Sequence, residues 1–175
     1  MTAHDETLPK EARQRRKHIH MDDKITIELY SDAFRDDFIR LNRQWIERYF
    51  KIEPSDEKAF EDPRAAIIDT GGQIFIAVRG GKAIGCCALI FHAGDDSYEL
   101  AKMAVDPASQ GKGAGHALAR ALIAYAKSHG AKSLFLEANT KLTASVRLYG
   151  SLGFKPVEAY KAAYERCDLY MRMTL

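Results

Sequence analysis

The stretch Gln110-Gly111-Lys112-Gly113-Ala114-Gly115 joins a strand-like run, Tyr98 to Val105, to a helix-like one, Gly113 to His129. Its glycines let the backbone approach a bound group closely, because no Cβ stands between them. The first turn of a helix carries unpaired N–H groups and a partial positive charge. A strand, a glycine turn and a helix start, in that order, therefore make an anion site, most often for phosphate.

The rest of the chain is read around this junction. Ile25 to Tyr30 alternates and is rich in β-formers, as a strand requires. Ser31 or Asp32 is placed to cap a helix through about Tyr49, in which Phe34, Phe38, Leu41, Trp45 and Tyr49 recur at helical spacing. Pro54 breaks that helix, Ser55 is placed to cap a short one ending before Pro63, and Ala65 to Asp69 extends as a further turn. Gln73 to Arg79 and Lys82 to His92 read as strands joined by the Gly80-Gly81 hairpin signal. Tyr98 to Val105 completes an antiparallel meander. Ser133 to Ala138 is the next strand, and the intervening helix makes it a parallel, right-handed crossover partner. Asn139 or Thr140 is expected to cap a helix carrying Leu142, Val146 and Tyr149 on one face. Phe154 to Ala159 and Asp168 to Thr174 are the last two strands, expected to be antiparallel. The predicted fold class is α/β, in the α+β mixed-sheet sense: a mostly antiparallel sheet with one parallel pair and helices on both faces.

At 175 residues the chain fits one domain with a real core. No run approaches the roughly 18 apolar residues of a membrane span, and the start lacks a signal peptide's apolar segment. Three cysteines, two of them adjacent, do not form a disulfide framework, which points to a reducing, cytoplasmic setting. Residues 1–20 carry five basic side chains against three acidic ones, which accounts for the whole net charge of +2. We read them as a basic extension, disordered as termini usually are, with residues 21–175 as the domain. Nucleic-acid binding is not expected. The six histidines show no metal-ligand spacing outside the tail, so no metal is predicted.

The spacing of the glycine loop narrows its ligand. A nucleotide P-loop needs Gly-Lys-Ser/Thr after a fixed gap, and Gly113 is followed by Ala114. A dinucleotide fingerprint needs a third glycine where His116 stands, and the meander before the loop is not the start of a doubly wound sheet. Gln110 to Gly115 does match the (Gln/Arg)-x-x-Gly-x-(Gly/Ala) signature of the GNAT superfamily of acyl-CoA N-acyltransferases. The likeness runs from Glu99 through Val105 before the loop to Asn139, Ala144, Leu148-Tyr149 and Gly153-Phe154 after it. The chain thus resembles a GNAT N-acetyltransferase on two ordered signatures.

That resemblance implies a GNAT fold, acetyl-CoA as cofactor, and acetyl transfer to a primary amine by direct attack in a ternary complex. It implies that backbone N–H groups of Gly111, Lys112, Gly113, Ala114 and Gly115 hold the coenzyme pyrophosphate, with Gln110 at the entrance. The Lys112 ammonium either adds charge there or is simply solvated. Met103, Ala104 and Val105 would lie beside the thioester, with a backbone N–H polarising the acetyl carbonyl. Asn139 would meet the pantetheine arm, cap a helix, or do both. Tyr149 matches the family tyrosine that donates a proton to the departing sulfur. Its other reading is a core aromatic. Glu99 stands where some members place a glutamate base, sharing a strand face with Ala101, Met103 and Val105; other members use water chains.

Acceptor residues in similar enzymes come from the first helix, its following loop and the last hairpin. Here these supply Trp45, Tyr49, Phe50 and Glu53, then Tyr164, Glu165, Arg166, Cys167 and Asp168, with Glu165 or Asp168 available to an ammonium and Arg166 to a carboxylate. The expected acceptor is a small metabolite or amino-acid-like amine. A protein amine and a CoA-binding regulatory module are the alternatives. A homodimer is common among similar proteins.

Overall fold

The computed structural model describes residues 24–94, 97–158 and 163–175. The basic extension expected over residues 1–20, and Ala159, lie outside the described residues, and within them the strand expected from Phe154 shortens to Lys155–Pro156.

Strand β1 (Thr26–Leu29) leads through a short 3-10 turn into α1 (Arg35–Tyr49) and α2 (Pro54–Glu61). The meander β2 (Gln73–Arg79), β3 (Lys82–His92) and β4 (Ser97–Val105) follows, then α3 (Ala114–Ser128), β5 (Ser133–Ala138), α4 (Thr143–Ser151), β6 (Lys155–Pro156) and β7 (Leu169–Thr174). One seven-stranded sheet runs in the order β1-β2-β3-β4-β5-β7-β6. All neighbours are antiparallel except β4 and β5, as expected from the helical crossover between them. The first two meander strands are largely buried, which is why β2 and β3 read as near-continuous apolar runs.

Two clusters fill the two faces. Leu118, Leu122 and Ala126 of α3 pack with Phe75, Cys87, Leu89 and Leu100 on one. Phe38, Leu41 and Ile46 of α1 pack with Phe60, Ile74, Ile76 and Cys86 on the other. Adjacent Cys86 and Cys87 fall in different clusters, as strand alternation demands.

Three local expectations are corrected. Helix α1 has no side-chain cap, because a 3-10 turn at Asp32–Phe34 precedes it and the Asp32 carboxylate accepts from Arg64 instead. Helix α2 starts at Pro54, not after Ser55; proline suits a first helical position, and the Asp56 carboxylate accepts from Glu53 N–H. Neither Asn139 nor Thr140 caps α4, which begins at Thr143. Asn139 Oδ1 accepts from Lys141 N–H at 2.9 Å and Thr140 donates to Asp168, so these residues hold the turn ahead of the helix.

Candidate active site

The parallel pairing of β4 with β5 spans only Tyr98 with Leu134 and Glu99 with Phe135. Beyond these pairs a cleft opens between Leu100–Met103 on one side and Glu137–Asn139 on the other. On the same stretch β4 carries a bulge: Ala101 pairs with Ala88, but Ala104 pairs with Cys86. The extra residue sits at Lys102, whose φ of 52° is in the left-handed region. The bulge overturns the expectation that Glu99, Ala101, Met103 and Val105 share one face. Met103 and Val105 pack with Leu100 against the α3-side cluster, and Ala104 turns to the α1 side.

A second groove runs from Met103 and Val105 over the glycine loop to α4. It shares Trp45, Met103, Leu142 and Ser145 with the cleft, so the two form one channel. Gly113 stands at the N-cap of α3 with φ 88°, and the first N–H to bond back is Ala117 to Gly113 O. The preceding N–H groups of Ala114, Gly115 and His116 therefore have no intrahelical acceptor and present the helix's positive end to the groove. A Cβ on Gly115 would stand 3.2 Å from Leu148 Cδ2, so this glycine lets α3 and α4 close over the same point. Gln110 Nε2 donates to Val105 O at 3.1 Å and ties the loop to the strand before it. Lys112 Nζ donates to Ala108 O at 3.0 Å, back onto its own loop. Lys141 and Arg147 line the groove on the α4 side and were missed from the sequence. These features fit a long ligand with a polyanionic end: N–H groups and cations at one end, strand backbone in the middle, the cleft at the other.

A side chain at Gly113 would meet nothing within 4 Å, so Gly113→Val tests backbone conformation alone. Left-handed backbone costs a β-branched residue at least about 1–2 kcal/mol, and the loop is expected to shift to relieve it. Acetyl-CoA dissociation constants from titration calorimetry should rise about tenfold, equivalent to about 1.4 kcal/mol.

Titratable groups crowd the cleft. Glu99 Oε2 lies 2.9 Å from His92 Nε2; the Glu99 side chain is 8% exposed and that of His92 41%. Tyr149 lines the cleft and packs edge-on against Phe154 at 6.2 Å. Burial, then the neighbouring Cys87 and Cys167, push its phenol well above the usual tyrosine range. Lys102 Nζ donates to Asp56 Oδ1 at 2.6 Å and to Tyr164 Oη at 3.0 Å. Arg166 donates to both oxygens of Asp56 and to Glu53 Oε1 at 2.7–2.9 Å. Both Glu137 oxygens accept from Ala163 N–H, and Oε2 also from Tyr164 N–H. Asn139 Nδ2 donates to Arg166 O at 2.6 Å.

A sequence model of the acetyltransferase (GNAT) family matches residues 26–154. The chain belongs to the GNAT acetyltransferase family. N-acetylaspartate synthetase of Rattus norvegicus is 34% identical over 89 residues, covering 51% of this chain and 30% of that protein. An uncharacterized N-acetyltransferase of Schizosaccharomyces pombe is 27% identical over 143 residues, covering 80% and 88%. The chain thus spans less than a third of the N-acetylaspartate synthetases of rat and human that it matches. Among solved structures, a GNAT acetyltransferase of Staphylococcus aureus Mu50 superposes with TM-score 0.78 at 18% identity, covering 86% of this chain and 99% of its own. N-acetylglutamate synthase of Neisseria gonorrhoeae, complexed with coenzyme A and N-acetyl-glutamate, superposes with TM-score 0.68 at 20% identity, covering 87% and 35%. These structures share the GNAT fold with this chain.

On this GNAT scaffold the sequence-predicted residues divide. Glu99, Met103, Asn139, Tyr149, Trp45, Phe50 and Arg166 line the cleft; Val105, Gln110, Gly111, Gly113, Ala114, Gly115 and Tyr49 line the groove. Ala104 lines neither and is buried beneath α1. Asp168, expected at the acceptor, accepts instead from Thr140. Tyr164 and Cys167, expected at the acceptor side, also line the cleft, whereas Asp56, Lys102 and Glu137 were missed as site candidates. Among the described residues no group of His, Cys, Asp and Glu has metal-site geometry, and no helix is long and apolar enough to cross a membrane.

Proposed function

We propose that residues 21–175 form an N-acetyltransferase domain that moves the acetyl group of acetyl-CoA to a primary amine of a small metabolite. One observation carries this reading: the glycine-loop groove and the titratable cleft meet at Met103, Leu142 and Ser145. Bound there, acetyl-CoA supplies an activated thioester. The chain's own groups do the rest. The loop N–H groups and Arg147 hold the anionic end, while Met103 and Val105 offer strand backbone along the groove. An alkyl ammonium has a pKa of about 10 and must lose a proton before it attacks. Glu99 accepts that proton at Oε2, and the half-exposed His92 2.9 Å away leads from the cleft to solvent. Tyr149 keeps its phenolic proton through the neutral range and offers it at the end of the cleft where negative charge is released.

The test is free-thiol release from acetyl-CoA across amines, amino acids and peptides, with both substrates varied. Intersecting double-reciprocal lines are expected for direct transfer. Acetyl-CoA binding without turnover on any acceptor would leave a regulatory module instead. Glu99→Gln should lower kcat/KM about tenfold near neutral pH. The deficit should narrow as pH approaches the amine's own pKa of about 10, where solution already supplies the free base. A deficit constant across pH would remove the base role.

A further inference from the structure

The charged side chains of the acceptor half fall into two sets. Lys102 and Arg166 are already spoken for: the first is held by Asp56 and Tyr164, the second by Asp56 and Glu53. Their side chains are 4% and 12% exposed, and that of Asp56 is fully buried. No other cation lines the cleft among the described residues. Two further carboxylates do, those of Glu99 and Glu137. Among the described residues, counting the buried partners, the acceptor half holds two cations against four carboxylates, with the His92 imidazole beside one of them. Burial pushes the Glu137 carboxyl up, and the Glu99 charge adds to this, so the two carboxylates feel each other across the cleft. Glu137 Oε1 takes one backbone contact against two at Oε2, so the Oε1 side is the less occupied edge of this carboxylate. The opposite wall is aromatic, with Trp45 and Phe50 at 6.0 Å between ring centres.

Such a site selects by charge. An amino-acid acceptor would bring its carboxylate against Glu99 and Glu137, or would have to displace Asp56 or Glu53 from Arg166. Either outcome leaves a buried charge unpaired, the strongest form of discrimination against a ligand. A cation meets neither obstacle, and a focused negative field draws it in. We infer that the acceptor is a small alkyl amine carrying a second cationic group and no carboxylate, an α,ω-diamine in class. Glu99 takes the reacting ammonium, Glu137 takes the other, and Trp45 and Phe50 flank the alkyl chain. This rests on the N-acetyltransferase reading above. It also separates the chain from relatives named for N-acetylaspartate and N-acetyl-glutamate, whose acceptors carry carboxylates.

The experiment uses the full chain at saturating acetyl-CoA and reads thiol release with 1,4-diaminobutane, n-butylamine, L-aspartate and L-glutamate. The kcat/KM for the diamine should exceed that for n-butylamine at least tenfold, with both amino acids at background. Glu137→Gln keeps an oxygen at the Oε2 position for the Ala163 and Tyr164 N–H groups and removes the charge. It should bring the diamine to n-butylamine ratio close to one, with the melting temperature measured alongside. Faster turnover of aspartate or glutamate than of the diamine overturns the inference and leaves the acetyltransferase reading standing. Equal rates for diamine and n-butylamine in the unaltered protein, or an unchanged ratio in a folded Glu137→Gln variant, overturn it as well. Acetyl-CoA binding with no thiol release on any of the four amines or on the wider panel overturns both.

Discussion

Asp56→Asn is expected to lower the melting temperature by roughly 10 °C. The reason lies in the partners left behind. Asp56 is completely buried and takes hydrogen bonds from Lys102 Nζ, both terminal guanidinium nitrogens of Arg166, and Glu53 N–H. An asparagine keeps the shape but removes the negative charge, so Arg166 would keep only Glu53 and the buried Lys102 would lose its carboxylate partner. Breaking a buried pair in this way costs about 3–5 kcal/mol, and a domain of this size loses about 2–4 °C per kcal/mol. The pH dependence has a definite sign. Burial pushes the Asp56 carboxyl up, but the bonds from Arg166 and Lys102 outweigh it and hold the carboxyl below its ordinary range. A depressed folded-state value stabilises above the unfolded value, near 3.9, and that contribution fades as pH falls through the folded one. The gap between the native chain and Asp56→Asn should therefore be constant through neutral pH and close only in acid. Thermal scans by circular dichroism at pH 7 and pH 3 measure both. A melting point within 2 °C of the native chain at pH 7 would mean the network is dispensable.

The same network shows where sequence reading stops. Elements set by local rules were legible: the Gly80-Gly81 hairpin joins β2 to β3, and Gly113 is the N-cap of α3. The groove half of the site was legible for the same reason, since the glycine loop, the strand before it and the helix after it are contiguous in the chain. The acceptor half is not contiguous. Asp56, Lys102, Glu137 and Arg166 come from α2, a strand bulge, β5 and the segment before β7, up to 110 residues apart. No periodicity announces a bulge, and Lys102 alone breaks the alternation that had put Glu99 and Met103 on one face. Asp56 sat in a surface-like Pro-Ser-Asp-Glu string, with nothing to mark a carboxylate that the fold buries completely. Arg166 was legible as a cleft residue but not as one already neutralised, because its partner lies on another element.

Tyr149→Phe should lower kcat by two orders of magnitude or more while leaving acetyl-CoA affinity within about twofold. The substitution separates the two readings of this residue. The ring packs against Phe154 and joins the cluster of Leu118 and Leu136, and phenylalanine preserves that packing. Only the hydroxyl is lost. Burial, then Cys87 and Cys167, raise the phenol, so the proton stays on Oη throughout the pH range in which the reaction is assayed. A thiolate leaves with a pKa of about 8.5, below that of the phenol, so complete proton transfer ahead of bond breaking would run uphill. The hydroxyl is useful only as sulfur charge develops, when a hydrogen bond in a dry cleft is stronger than the same bond in water. An interaction made only then lowers kcat and kcat/KM together when it is removed, and leaves binding in place. Stopped-flow thiol release gives kcat, calorimetry gives the acetyl-CoA affinity, and a thermal scan checks that the core is intact. A variant that turns over at the native rate with a good acceptor would return Tyr149 to the core. One that loses rate and several degrees of melting temperature together would assign the hydroxyl to stability instead.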